Sequence, residues 1–235
     1  MGPCQAMQLE PPCSLAELSA RVAALTGCAV AELERRLGVS NLGPMRHRKG
    51  KTGELVERAL GAVGGSLRGP DFPELGVELK TIPLDGLGRP RESTFVCSLN
   101  VRDADRMDWD SSLVRAKLAC VLWVPILGAG AERQIGSPMF WRPSAQQLAV
   151  LRGDFDELVG MIAIGKVESL TARLGCWLQV RPKAANSDAR ARLLDEDGSA
   201  VWTVPRGFYL RARFTGALLR DPGTLTGSSA ATRGA

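Results

Sequence analysis

The stretch "DFPELGVELKTIPLDGLGRP", Asp71 to Pro90, sets charges among residues that otherwise ask for burial. Val77, Leu79 and Ile82 read as strand, and alternate side chains of a strand share a face. Glu78, Lys80 and Ile82 therefore project one way, and Val77, Leu79 and Thr81 the other. Asp71 stands seven residues before Glu78, and Pro73 and Gly76 between them favour a bend that returns it towards Glu78. A chain folding around this segment must leave it on the surface or give its charges partners, because an isolated buried charge is costly.

Two carboxylates and a lysine suit metal-dependent cleavage of a phosphodiester. The carboxylates hold Mg²⁺ with a few oxygens, leaving room for waters and a substrate phosphate. The metal lowers the pKa of a bound water and neutralises charge on the phosphate. The Lys80 ammonium can position the attacking water or stabilise developing negative charge. The same D-x6-E-x-K pattern also describes a surface strand with a solvated ion pair, and the residues alone leave both readings open.

Around this segment helices and strands alternate, which predicts a mixed α/β domain. "SLAE" at Ser14 to Glu17 is a capping box followed by apolar residues at helical spacing, with Gly27 as the stop. "AVAELERRLG" is a second helix, ended by Gly38. Arg46, Arg48, Lys49 and Lys51 form a basic loop. A third helix is expected over Gly53 to Val63, with Glu57 between Gly53 and Gly61 on a face nearly bare of side chains. Strands follow in "GVELKTIPL", "STFVCSLNV", "LACVLWVPIL" and "GCWLQVRP". A long helix from Ser144 to Ile164, opened by the capping pattern "SAQQ", carries "DFDELVGMIAI", read as a scaffold helix with a solvated acidic start. "WTVPRGFYLRARFTGALL" mixes aromatics with Arg206, Arg211 and Arg213. Residues 1–12 read as a flexible arm, 13–220 as the folded domain and 221–235 as a disordered tail.

Composition narrows the chemistry. The chain has 235 residues, and 30 Lys and Arg against 25 Asp and Glu leave a mild formal charge of +5, compatible with a nucleic-acid partner. His47 is the one histidine and lies in the basic loop, so histidine nucleases and hydrolytic triads have no material. No GxxxxGK[ST] loop occurs. The six cysteines are scattered without a CxxC pair, which argues against zinc and disulfides and for reduced thiols in the cytoplasm. No apolar run reaches membrane-span length, and no secretion signal opens the chain.

The stretches "DFPELGVELKTIPLDGLGRPRESTFVC", "VRAKLACVLWVP", "GSPMFW", "VESLTARLG", "LQVRPKAANS" and "VPRGFYLRARFTGALL" stand in one order. Over about Ser14 to Leu219 the chain resembles the MutH family of DNA mismatch-repair endonucleases, within the PD-(D/E)xK nuclease superfamily. The resemblance implies a restriction-endonuclease-like mixed sheet flanked by helices, in two lobes forming a DNA cleft. It implies a monomer that uses Mg²⁺ to nick the unmethylated strand of double-stranded DNA at hemimethylated GATC sites. It implies MutL as the activating partner, and MutS indirectly. Asp71, Glu78 and Lys80 become the catalytic trio, with Asp71 and Glu78 as metal ligands. Glu57 matches a further active-site carboxylate, Lys117 a lysine near the scissile phosphate and Lys49 a lysine of the DNA-facing loop. Arg181, Pro182 and Lys183 match the base-reading loop, Tyr209 the residue beside the methylated adenine and Phe95 a DNA-contacting aromatic.

The residues by themselves leave simpler roles open. Tyr209 and Phe95 could fill a core, Arg181 could anchor a phosphate, and Lys49 could add only general charge. A type II restriction endonuclease making double-strand cuts, and a methylation-state reader that does not cut, are the competing functions. The chain departs from the family's pattern after Leu219, over Asp103 to Ser112, and at Lys51, where the family has an aromatic residue.

Overall fold

The structure, a computed structural model, describes residues 9–39, 50–63, 69–170, 174–183, 191–194 and 200–221. In chain order the elements begin α1 (Leu15–Ala23), α2 (Val30–Arg36), α3 (Lys51–Leu60), β1 (Glu78–Pro83), β2 (Thr94–Leu99), α4 (Leu113–Leu118) and β3 (Val121–Leu127). They continue with β4 (Gln134–Ile135), β5 (Met139–Trp141), α5 (Ala145–Ala163), β6 (Leu178–Pro182), β7 (Ala191–Leu194), β8 (Ala200–Thr203), β9 (Arg206–Leu210) and α6 (Ala212–Arg220). Mixed α/β architecture is therefore the observed class. The chain divides into two compact units, Met1–Arg91 with Ala119–Arg142, and Glu92–Leu118 with Pro143–Ala235.

In the first unit β1 runs parallel to β3, with Glu78 opposite Val121 and Lys80 opposite Trp123. β4 and β5 both pair antiparallel with β3. One sheet face, with Leu79, Leu122, Val124 and Ile126, packs with Leu18, Val22, Leu33, Leu55, Val56 and Leu60 of the three helices. Burial of this aliphatic set is the main source of stability here, at about 25 cal/mol per Å² of apolar area removed from water. Ser14 caps α1, its Oγ accepting the Glu17 N–H at 3.1 Å. The Glu17 carboxylate reaches the Cys13 N–H at 2.8 Å.

The third helix is shifted from its expected span. It starts at Lys51 and stops at Leu60, because Gly61 takes φ +79 and begins a left-handed cap. A Cβ at Gly61 would lie 2.5 Å from the Glu10 carbonyl oxygen, which also accepts a hydrogen bond from Arg21 at 2.7 Å.

In the second unit β2, β9 and β6 form an antiparallel sheet with β9 at its centre, and β7 and β8 form a separate hairpin. The segment expected as one mixed run divides into β8, β9 and α6. α5 is opened by Ser144, whose Oγ accepts from the Gln147 N–H while the Gln147 side chain returns to the Ser144 N–H. Its buried residues Leu151, Phe155 and Leu158 meet an aromatic core. There Phe155 stacks on Phe208 at 5.5 Å and Trp109 meets Phe155 edge-on at 5.5 Å. All five described cysteines are free.

Candidate active site and reading face

Pro73–Leu75 form a tight 3-10 turn, closed by paired backbone hydrogen bonds between Phe72 and Val77 at 2.9 and 3.2 Å. This turn returns Asp71 to β1, where its Oδ2 accepts the Leu79 N–H at 2.8 Å. Glu78 is only 1% exposed and Asp71 7%. Lys80, two residues on and on the face of Glu78, places its Nζ 2.5 Å from Glu78 Oε1. The solvated-strand alternative fails on this burial: a carboxylate so enclosed is held by its ammonium partner and not by water.

Glu57 joins this group from α3. Gly53 and Gly61 leave its face bare of side chains, and other parts of the protein's own chain come close to it. A Cβ at Gly53 would sit 3.4 Å from Thr81 Oγ1 of β1 and 3.8 Å from Glu57 Oε1, and Glu10 covers Gly61. Burial, and after it the charge of Asp71, push the Glu57 carboxyl up to about 7, against an opposing pull from Lys80.

Three carboxylates with one ammonium make a donor set of hard oxygens with excess negative charge. Among the described residues no three His, Cys, Asp or Glu side chains stand close enough to cage a metal. Asp71 and Glu78 are hard oxygen donors, the chemistry that suits a cation such as Mg²⁺, which takes one or two protein carboxylates and fills its remaining positions with water and phosphate.

The raised Glu57 value has a consequence for metal-free protein. The folded chain keeps this proton where the unfolded chain, titrating near 4.5, has lost it. Stability from this group is therefore complete below that value and is lost as pH rises towards 7. Thermal melts in a chelator should fall across that interval, and Glu57→Gln should flatten the fall. Identical slopes in parent and variant would rule out this assignment.

The second unit carries the other cluster. Phe95 of β2 stands opposite Tyr209 of β9, and Gln179 of β6 flanks Tyr209 on its other side. Arg181 lies beside Gly207 in the same register, so Gln179 and Arg181 share the face of Tyr209. The Phe95 and Tyr209 rings meet edge-on at 5.3 Å. Phe95 is 36% exposed and Tyr209 half-buried, whereas Phe208 is fully buried, so Phe208 fills the core and the other two face outward. A Cβ at Gly207 would lie 2.8 Å from Phe95 Cε2, so only glycine admits the ring here. Lys183 Nζ lies 5.0 Å from the Phe95 centroid and 2.9 Å from Ser98 Oγ. Arg181 and Pro182 are exposed at the end of β6.

Ser93, Ser98 and Gln179 escaped the sequence reading. Counting by twos along "LQVRPK" could have found Gln179. Ser98 could not be found that way, because a bulge between Phe95 and Cys97 moves it onto this face.

Lys117 is half-buried on α4, in the second unit, whereas Asp71, Glu78 and Lys80 belong to the first. Lys49, with Arg46 and Arg48, lies outside the described residues. The acidic start of "DFDELVGMIAI" is not solvated at Asp154, which is 5% exposed. Its carboxylate accepts the N–H groups of Cys176 at 2.6 Å, Trp177 at 2.6 Å and Leu178 at 2.8 Å, fixing the entry to β6. Among the described residues no helix is long and apolar enough to cross a membrane.

The chain was compared with known proteins. The sequence model of the family described as "DNA mismatch repair enzyme MutH" matches residues 60–154, which include the turn, β1 and β2. The "DNA mismatch repair protein MutH" of Serratia proteamaculans (strain 568) is 46% identical over 213 residues, covering 89% of this chain and 93% of the relative. The protein of that name from Shewanella baltica (strain OS185) is 46% identical, with 89% and 96% covered. That from Shewanella oneidensis is 45% identical with the same coverage. The chain belongs to the MutH family of DNA mismatch-repair endonucleases.

Proposed function

We propose that the chain nicks the unmethylated strand of double-stranded DNA at hemimethylated GATC sites, with Mg²⁺ at Asp71 and Glu78. The observation that carries this reading is the buried Glu78–Lys80 pair beside Asp71, on a strand next to the raised carboxyl of Glu57. When bound, Mg²⁺ would neutralise charge on the scissile phosphate and acidify water.

The chain's own residues do the rest. The Asp71 turn aims a carboxylate that the Leu79 N–H already orients. Lys80 holds its ammonium on Glu78 in the resting protein and turns it to the developing negative charge in the reaction. Glu57, with its carboxyl near neutrality, can take a proton at its free oxygen. Lys117 meets the phosphate backbone, and Lys49 adds charge to the same backbone.

Sequence is read by the sheet face of the second unit. Arg181 presents two parallel donors to guanine O6 and N7, a pairing that discriminates by about 1–3 kcal/mol. Pro182 shapes the strand end, Lys183 contacts a further base edge, and Phe95 packs on the DNA. Tyr209 senses the adenine that carries or lacks a methyl group. The enzyme acts in the cytoplasm as a monomer, switched on by MutL after MutS finds a mispair.

Circular DNAs with one GATC site, unmethylated, hemimethylated or fully methylated, test this with Mg²⁺ and with or without MutL. Nicked circles cut only in unmethylated strands, at a rate raised by MutL, are expected. Linear product without MutL would point to a restriction enzyme instead. Tyr209→Ala should shrink the preference for hemimethylated over fully methylated sites by about tenfold or more, the scale of one methyl group in a contact. Full discrimination in that variant would remove Tyr209 from the readout.

A further inference from the structure

Arg181 and Lys183 are long cations at an exposed strand end, and ordering such side chains carries a rotamer-entropy cost. The structure shows both already resting on β2. Ser93 Oγ accepts from the Gln179 amide at 2.8 Å and lies 3.4 Å from Arg181 Nη1. Ser98 Oγ lies 2.9 Å from Lys183 Nζ.

β2 and β6 are not neighbours, because β9 runs between them. Two strand spacings separate them by about 10 Å. Gly207 stands beside Arg181 on one side and Ser98 on the other; the Phe95 ring occupies the space its missing Cβ leaves, and Lys183 Nζ lies 5.0 Å from that ring's centroid on the way to Ser98. Gln179 is 5% exposed, so its amide is a fixed donor and Ser93 Oγ a fixed acceptor. A serine oxygen has two acceptor sites, so the second remains for Arg181. The β2 bulge turns Cys97 inward and Ser98 outward, under Lys183.

We infer that Ser93 and Ser98 are positioning residues for base readout, each holding one reading cation over its own base pair. This rests on the reading face proposed above. The serines act through the cations: a preorganised arginine or ammonium loses less freedom on binding than one free in solvent.

The test uses the full chain with Mg²⁺ and measures nicking rates on duplexes carrying GATC and each single base-pair substitution. Ser93→Ala should lower discrimination about tenfold at the one base pair read by Arg181 and leave the other pairs as in the parent. Ser93→Thr, which keeps the hydroxyl, should restore it. Ser98→Ala should relax a different base pair, the one read by Lys183. Equal loss at every position, both variants relaxing the same pair, or parental selectivity in both would overturn the inference. A parent with no preference for GATC would instead sink the proposed function, and this inference with it. A selective parent whose serine variants stay selective sinks the inference alone.

Discussion

Glu78→Gln should abolish nicking while the protein stays folded. The glutamine keeps the shape of a side chain that is 1% exposed but removes the negative charge that Lys80 holds and that the proposed Mg²⁺ would need. Metal stabilisation of a phosphoryl transition state is worth several kcal/mol, so the loss should be about a thousandfold or more. Glu78→Ala should be equally inactive and less stable than Glu78→Gln, since it also removes the buried side-chain volume and the oxygen that accepts from Lys80. Nicking rates beside thermal melts separate the two effects. A Glu78→Gln protein that cuts within tenfold of the parent would show that the trio is structural.

The second large effect is on stability. Asp154 receives three consecutive backbone N–H groups through one carboxylate. Asp154→Ala strands donors that are largely shut off from water. At about 1–3 kcal/mol for each buried unsatisfied group, a total loss of about 3–5 kcal/mol is expected, a large part of a domain's stability. Asp154→Asn, which retains one carbonyl acceptor, should fall between. Denaturant titration measures both, and a loss under about 1 kcal/mol in Asp154→Ala would show that water reaches those N–H groups.

What could be read before folding was local. β1 was legible because β-branched and aliphatic residues, a proline and a glycine occur within one short segment. The Ser144 capping box was legible because both of its hydrogen bonds join residues three apart. The approach of Asp71 to Glu78 and Lys80 was legible because a turn of a few residues brings Asp71 back to β1. Asp154 was not, since its partners lie 22 to 24 residues further on and no pattern marks a carboxylate that will meet them. Glu57 was half legible: its helix and the bare face between Gly53 and Gly61 could be read, but Thr81 and Glu10, which come close to those glycines, lie in distant parts of the chain. The Phe95–Cys97 bulge was hidden because tertiary contact fixes it, the Phe95 ring lying where Gly207 leaves space. β4 and β5, at two and three residues, carry too little sequence to show a period.

The parallel pairing of β1 with β3 has a bearing on synthesis. Parallel neighbours cannot be joined by a hairpin. Here the intervening chain, Glu92–Leu118, belongs to the other unit. A ribosome that has released β1 has therefore not yet made the strand that lines up with Glu78 and Lys80. Until Val121–Leu127 emerges, the acidic strand has an open edge and its charges stay hydrated. The Asp71, Glu78 and Lys80 cluster is thus assembled late in translation, and a polypeptide cut short before Ala119 would carry these residues without the sheet that organises them.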